Sequence, residues 1–259
     1  MYPEGMFGLD WLRVLITPIG ILGMTFFVWY LRGEGIAVAR SVLLMVLIAT
    51  VALAGAKLFS LWVRGWELYS PISHELRGGL RYPGALLAIV LLGPLLKRWV
   101  LPELSVPRFL DVLGITVCLC FALVRVSCFL NGCCTGIQCD GPICIPHPPG
   151  TQAWYVQLQA GHLPHPTHPS HPVLPLNLMF LLASLATGLF LIWFDKRRSF
   201  DGQLALLYLV IHDGAKGVLE SLRHPYVMEL QMVSLGTSAV ALVALLWILR
   251  YRSRRLPAA

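Results

Sequence analysis

LVRVSCFLNGCCTGIQCDGPIC, residues 123–144, joins two kinds of chain. An apolar segment runs up to Arg125, and five cysteines then follow as C-x4-C-C-x4-C-x4-C: Cys128, Cys133, Cys134, Cys139 and Cys144. Working outward, the chain on the N-terminal side is almost uncharged back to Arg108. Over all 259 residues, 57% are hydrophobic and 13% charged, where a soluble domain carries roughly 25% charged residues. The mean hydropathy is +0.71. The solvent of this chain is therefore mostly lipid, and Arg125 stands where a membrane span meets an outer loop. A net charge of +7 is then a matter of topology, not a nucleic-acid footprint.

Seven apolar runs are long enough to cross a bilayer, which takes roughly 20 residues: about 11–31, 41–63, 82–100, 108–127, 174–194, 202–222 and 230–250. Helix is the expected spanning state, because an open strand leaves backbone groups unpaired in hydrocarbon. Trp11, Trp29, Tyr30, Trp62, Trp66, Trp99 and Trp193 fall near the ends of these runs, as interfacial anchors do. The opening MYPEGMFGLD carries Glu4 and Asp10 where a signal peptide is positive, so the first span is expected to be retained. Arg32, Arg40, Lys97, Arg98, Arg108, Lys196, Arg197, Arg198 and the arginines at 250, 252, 254 and 255 fall on one side. Arg13, Arg64, Arg77, Arg81, Arg125 and Arg223 fall on the other. The richer side is cytoplasmic by the positive-inside rule. The expectation is an all-α polytopic membrane protein: one integral membrane domain over 1–259, about seven transmembrane helices, N-terminus outside and C-terminus cytoplasmic.

The one long connection, 128–173, faces outward. It holds no Lys or Arg, one acid (Asp140), five of the seven cysteines and five of the eight histidines. HLPHPTHPSHP places His162, His165, His168 and His171 three apart, which suits polyproline II with all four rings on one face. Neighbouring rings then stand roughly 9 Å apart at about 3.1 Å per residue. Zinc ligands lie about 2 Å from the ion, so a stiff strap is favoured over a metal site. The cysteines lack a CxxC pair. An oxidising compartment favours one or two disulfides, ahead of a metal site, with a nucleophilic cysteine last. No metal or cofactor is expected.

Within the apolar run 202–222, His212, Asp213, Lys216 and Glu220 precede Arg223. Offsets of four, four and three from 212 through 216 and 220 to 223 put these groups on one helix face, with Lys216 and Glu220 in ion-pair register. Charge inside a membrane is costly and marks function by default; the alternative is a network that only locks helix packing. Arg125, Arg223 and Lys216 together suit a phosphate, and the anion at that depth is a phospholipid headgroup.

The stretch Val124–Gly136 resembles the span-four hallmark of bacterial prolipoprotein diacylglyceryl transferases, roughly G-R-x-(G/A)-N-F-x-N-x-E-x-x-G. Arg125, Phe129, Asn131 and Gly136 match; Val124, Ser127, Cys128 and Cys133 depart. Members with a cysteine-bearing version, CF..GCC.G, are most similar. GGLRYPG (78–84), His171-Pro172, DGQLALLYL (201–209) and Glu220-Ser221-Leu222-Arg223 resemble further family segments in the same order. Pro83 stands where the family has a histidine, His212 and Lys216 where it tends to carry tyrosine and arginine, and Asn177 where a glutamate is expected. The resemblance implies transfer of a diacylglyceryl group from phosphatidylglycerol to the cysteine thiol of a lipoprotein precursor, in the bacterial inner membrane. It implies catalytic roles for Arg125, Lys216, Glu220, Arg223 and His212, the last as the nearest histidine candidate for a base now that Pro83 stands in the usual place, and substrate binding by Arg125, Asn131, Gly136 and Arg223. The partners implied are phosphatidylglycerol, the precursor peptide and membrane lipid, with no nucleic acid. A non-catalytic or metal- and thiol-binding paralogue on the same scaffold stays open as the alternative.

Overall fold

The computed structural model describes residues 6–63, 82–224 and 228–255. Among them the regular elements are helical: α1 (Trp11–Gly33), α2 (Val38–Val63), α3 (Tyr82–Val100), α4 (Val106–Leu130), α5 (Gln152–Gln159), α6 (Leu176–Asp195), α7 (Gln203–Tyr208), a π-helical turn (Leu209–Asp213), α8 (Gly214–Glu220) and α9 (Met228–Arg255). All seven apolar runs fall on helix. Five helices, α1, α2, α4, α6 and α9, are long and apolar enough to cross a membrane. α3 is a helix of 19 residues that ends in Lys97 and Arg98. The run 202–222 differs from expectation: it is two short α-helices joined by the π turn, not one regular helix. Exposed apolar side chains such as Leu43, Leu53, Leu91, Val240 and Val243 line the helices. That is a surface for lipid, since water tolerates apolar patches of only a few hundred Å². Trp29, Trp62, Trp99 and Trp193 are exposed at helix ends; Trp66 lies outside the described residues.

The chain forms two compact units, residues 24–112 and residues 1–23 with 113–259. In the first, α2 and α3 meet where Gly55 and Gly84 press together, and a Cβ on either would collide with the other's carbonyl. Small residues permit such backbone approach where lipid supplies no hydrophobic drive. Arg40 donates to the Val100 carbonyl (Nη2, 2.7 Å) at the end of α3 and pairs with Glu103 at 2.7 Å. Arg108 donates through Nε to Glu34 at 2.9 Å. The GGLRYPG segment lies outside the described residues as far as Arg81, and nothing follows structurally for the Pro83 side chain.

The second unit carries the long connection 128–173. Cys139 and Cys144 form a disulfide, while Cys118, Cys120, Cys128, Cys133 and Cys134 are unbridged. Short backbone pairings tie the loop down: Gly136 N–H to Leu174 O (2.9 Å), Ile137 N–H to Leu222 O (3.1 Å), and Ile145 and Val173 to each other. The histidine strap departs from regular polyproline II. It turns at His165–His168, where the His168 N–H donates to the His165 carbonyl at 3.1 Å. Side chains of α5, a helix not foreseen in the sequence, hold it: Trp154 Nε1 donates to His168 O and Gln157 Oε1 accepts from His171 N–H.

Candidate active site

Arg125 lies in the last turns of α4 with its guanidinium between two rings, 4.2 Å from the centroid of Phe121 and 4.5 Å from that of Phe180 on α6. It is 8% exposed, and its Nε has no hydrogen-bond partner among the described residues. A desolvated cation–π contact contributes about 2 kcal/mol and holds the guanidinium between the rings. It leaves Nε without a partner among the described residues, and a buried charge calls for an anion.

The π turn has a visible consequence. It adds a residue to the turn, and the polar groups of this segment reach different neighbours instead of forming a single stripe. His212 packs flat on Tyr208 and edge-on to Phe121, both with centroids at 5.0 Å. Its Nε2 meets Ser184 Oγ at 3.2 Å and its Nδ1 meets Asp213 Oδ1 at 3.3 Å. Asp213 Oδ2 accepts from Thr237 Oγ1 on α9 at 2.7 Å. Lys216 Nζ donates to Ser234 Oγ on α9 at 2.8 Å. Glu220, expected in register with Lys216, takes Arg223 at 3.1 Å. His212, Asp213, Lys216 and Glu220 are all buried.

Arg223 also donates to Cys134 Sγ through Nη2, at 3.5 Å. Its position depends on Gly136, whose backbone bridges to it. A Cβ on Gly136 would lie 2.9 Å from both Leu174 Cβ and the Leu222 carbonyl oxygen. Asn131 serves the N-terminus of α1, accepting from the Trp11 N–H at 2.9 Å, one of the donors that a helix start leaves unpaired. Among the sequence-derived candidates, Arg125, Arg223 and Lys216 thus lie in one charged cluster, since Arg125 and Arg223 are both within electrostatic reach of Lys216 and of Cys134. Glu220 joins it through Arg223, and His212 through the Phe121 ring it shares with Arg125. Gly136 and Asn131 touch its frame.

Against the arginines sit three thiols. The sulfur atoms of Cys128, Cys133 and Cys134 all lie within 4.8 Å of one another. Cys134 has φ +54°, a left-handed backbone that costs a side-chain-bearing residue about 1–3 kcal/mol and concentrates at functional sites. Asn177 Nδ2 holds the Cys133 carbonyl at 3.2 Å. The Cys128 and Cys133 thiols, then Arg125 and Arg223, hold the Cys134 thiol well below the usual range. Hydrogen bonding to Cys128 and Cys134, and then burial, push Cys133 well above it.

The profile of the family described as prolipoprotein diacylglyceryl transferase matches residues 6–251. The chain belongs to that family. It is 25% identical to the phosphatidylglycerol–prolipoprotein diacylglyceryl transferase of Finegoldia magna, covering 96% of this chain and 94% of that protein. It is 26% identical to the protein of the same name from Symbiobacterium thermophilum, covering 95% and 91%. This is a transferase family of lipoprotein biosynthesis, and the apolar helices are those of a membrane protein.

Sequence reasoning missed the rings around Arg125. Phe121 is four residues before it on the same helix face, an offset that was legible; Phe180 comes from a distant segment and gave no local signal. Ser234 and Thr237 sit in an apolar run and gave none either.

Proposed function

We propose that this chain transfers the diacylglyceryl group of phosphatidylglycerol to the cysteine thiol of a lipoprotein precursor, at the outer face of the bacterial inner membrane. The observation that carries the reading is Arg125, a buried guanidinium held between Phe121 and Phe180 with Nε unpartnered among the described residues. The thiol gives up its proton to solvent, its sulfur attacks the glyceryl carbon, the carbon–oxygen bond to phosphate breaks, and glycerol phosphate leaves with the electron pair. Charge therefore grows on the phosphate, and preformed cations at that point lower the barrier most. Arg125 and Arg223 bind the phosphate oxygens, with Lys216 as the third cation. Glu220 fixes Arg223, and His212 backs the Phe121 ring against which Arg125 is set. Gly136 and Asn131 shape the lipid site by holding the loop and α1 beside it. All seven apolar runs cross the membrane, with the N-terminus outside and the C-terminus cytoplasmic.

The test is mass spectrometry of a cysteine-containing lipobox peptide incubated with the purified chain and phosphatidylglycerol. The expected product is a diacylglyceryl thioether on the cysteine, formed by the unaltered chain and lost in Arg125→Ala at normal folded yield.

A further inference from the structure

We propose that Cys128, Cys133 and Cys134 form a zinc site with three protein thiolates and one exchangeable position, which takes the thiol of the incoming cysteine. The identity of that thiol rests on the transferase reading; the metal site does not. Three sulfurs within 4.8 Å of one another are close to a metal-binding arrangement. A zinc–sulfur bond of about 2.3 Å in tetrahedral geometry sets sulfurs roughly 3.8 Å apart, so closing on an ion takes a movement of about 1 Å or less. The ligands come from the end of α4 and from the loop beyond it. Two constraints aim the loop thiols: the left-handed backbone of Cys134 and the Asn177 bond to the Cys133 carbonyl.

Donor chemistry selects the ion. Thiolates choose zinc, copper(I) or iron–sulfur clusters over hard cations. Among the described residues no fourth histidine, cysteine or carboxylate joins the cluster. Structural zinc sites close with four protein ligands, whereas three protein ligands and an open position mark a catalytic one. Zinc on three thiolates leaves a net charge of −1, and Arg223, bonded to Cys134 Sγ, and Arg125 stand beside it to compensate. The other loop pair, Cys139 and Cys144, is already spent in a disulfide.

The site supplies a step that the arginines do not. The attacking thiol must lose its proton, and both His212 ring nitrogens are engaged, with Ser184 and Asp213. A thiol that coordinates zinc is deprotonated outright. A zinc-bound water departs as the zinc–sulfur bond forms, and the thiol proton passes to solvent. The sulfur then bonds to the glyceryl carbon while the carbon–oxygen bond breaks, and the electron pair stays on the phosphate oxygen. The neutral thioether then leaves the zinc.

The test uses full-length protein purified in detergent without chelator. Elemental analysis should find about one zinc ion per chain, lost in Cys128→Ser, Cys133→Ser and Cys134→Ser and kept in Cys120→Ser. Should a serine variant not fold, alkylation of the unaltered protein decides: zinc should shield these three thiols and leave Cys120 reactivity unchanged. Cobalt(II) in place of zinc should give thiolate charge-transfer absorption, and a cysteine peptide, unlike its serine counterpart, should shift the cobalt bands. Absence of metal after zinc supplementation, or a disulfide from Cys128 to Cys133 or Cys134 in the fresh protein, would overturn the site. A cobalt spectrum indifferent to the cysteine peptide would overturn the exchangeable position. Full transfer activity in metal-free protein would overturn the inference and leave the transferase reading standing. A cobalt spectrum that responds to peptide without lipid transfer would remove that reading and keep the site.

Discussion

Replacing Arg125 with lysine keeps the charge and removes the plane. In the native site the guanidinium lies 4.2 and 4.5 Å from two ring centroids, and its planar fork can meet two phosphate oxygens at once. A lysine ammonium is a strongly hydrated point charge that cannot fork onto two phosphate oxygens. One charge-assisted hydrogen bond contributes about 1.5–3 kcal/mol, so its loss lowers the transfer rate about ten- to a hundredfold. Arg125→Ala loses more, because the leaving phosphate then develops charge in a poorly compensated, low-dielectric site. Arg32→Lys, at the exposed end of α1, is the control and should change nothing. The assay is the rate of diacylglyceryl transfer per folded molecule, with folding followed by detergent chromatography and helical content. A purely structural Arg125 predicts the opposite partition, with less folded protein and normal activity in what remains. Full specific activity in Arg125→Ala at normal yield would refute the clamp.

Lys216→Arg should retain more transfer activity than Lys216→Ala, since a cation beside Ser234 is what the leaving group requires; equal rates would deny Lys216 an electrostatic role. Reporter fusions after Leu104 and Arg197 should read cytoplasmic and one after Gly150 external, and an external signal at Arg197 would reverse the topology. Gly136→Val meets Leu174 and the Leu222 carbonyl at once, an overpacking that costs about 1–3 kcal/mol; it should lower the thermal midpoint and displace Arg223, which a normal midpoint and rate would contradict. Burial holds His147 below its ordinary pKa, and neither ring nitrogen has a partner among the described residues. The unfolded chain therefore takes up a proton first, and stability should fall as pH drops below about 6.5 until the buried ring itself protonates. His147→Phe should flatten that part of the pH profile in acid-unfolding scans, and an unchanged slope would assign the effect elsewhere.

The apolar runs made the helices legible, because a lipid solvent demands long stretches without charge and leaves little room for another reading. The interruption of 202–222 was not legible: LVIHD carries no proline, and its sole neighbouring breaker signal is Gly214. What distinguishes the π turn is its tertiary partners, Ser184 and Thr237. Arg125 stood out in the sequence because a charge at the end of an apolar run is expensive. Its partner Phe180, and the choice of Arg223 by Glu220, depend on how helices meet. The cysteine spacing suggested bridges. One formed, Cys139–Cys144, whereas Cys128 lies in α4 and joins Cys133 and Cys134 only because the chain turns back at Gly132, with φ +61°. The polyproline reading of the histidine strap failed for a related reason: α5 supplies Trp154 and Gln157 to bond its backbone, and those bonds favour a turn over an extended strap.

Lipid transfer from phosphatidylglycerol to a lipobox peptide by the purified, folded chain is read by mass spectrometry. The unaltered protein should give a cysteine-linked diacylglyceryl product, with none on a serine peptide and none above background with Arg125→Ala. Absence of product from folded protein, while another member of the family yields it under the same conditions, would contradict diacylglyceryl transfer by this chain.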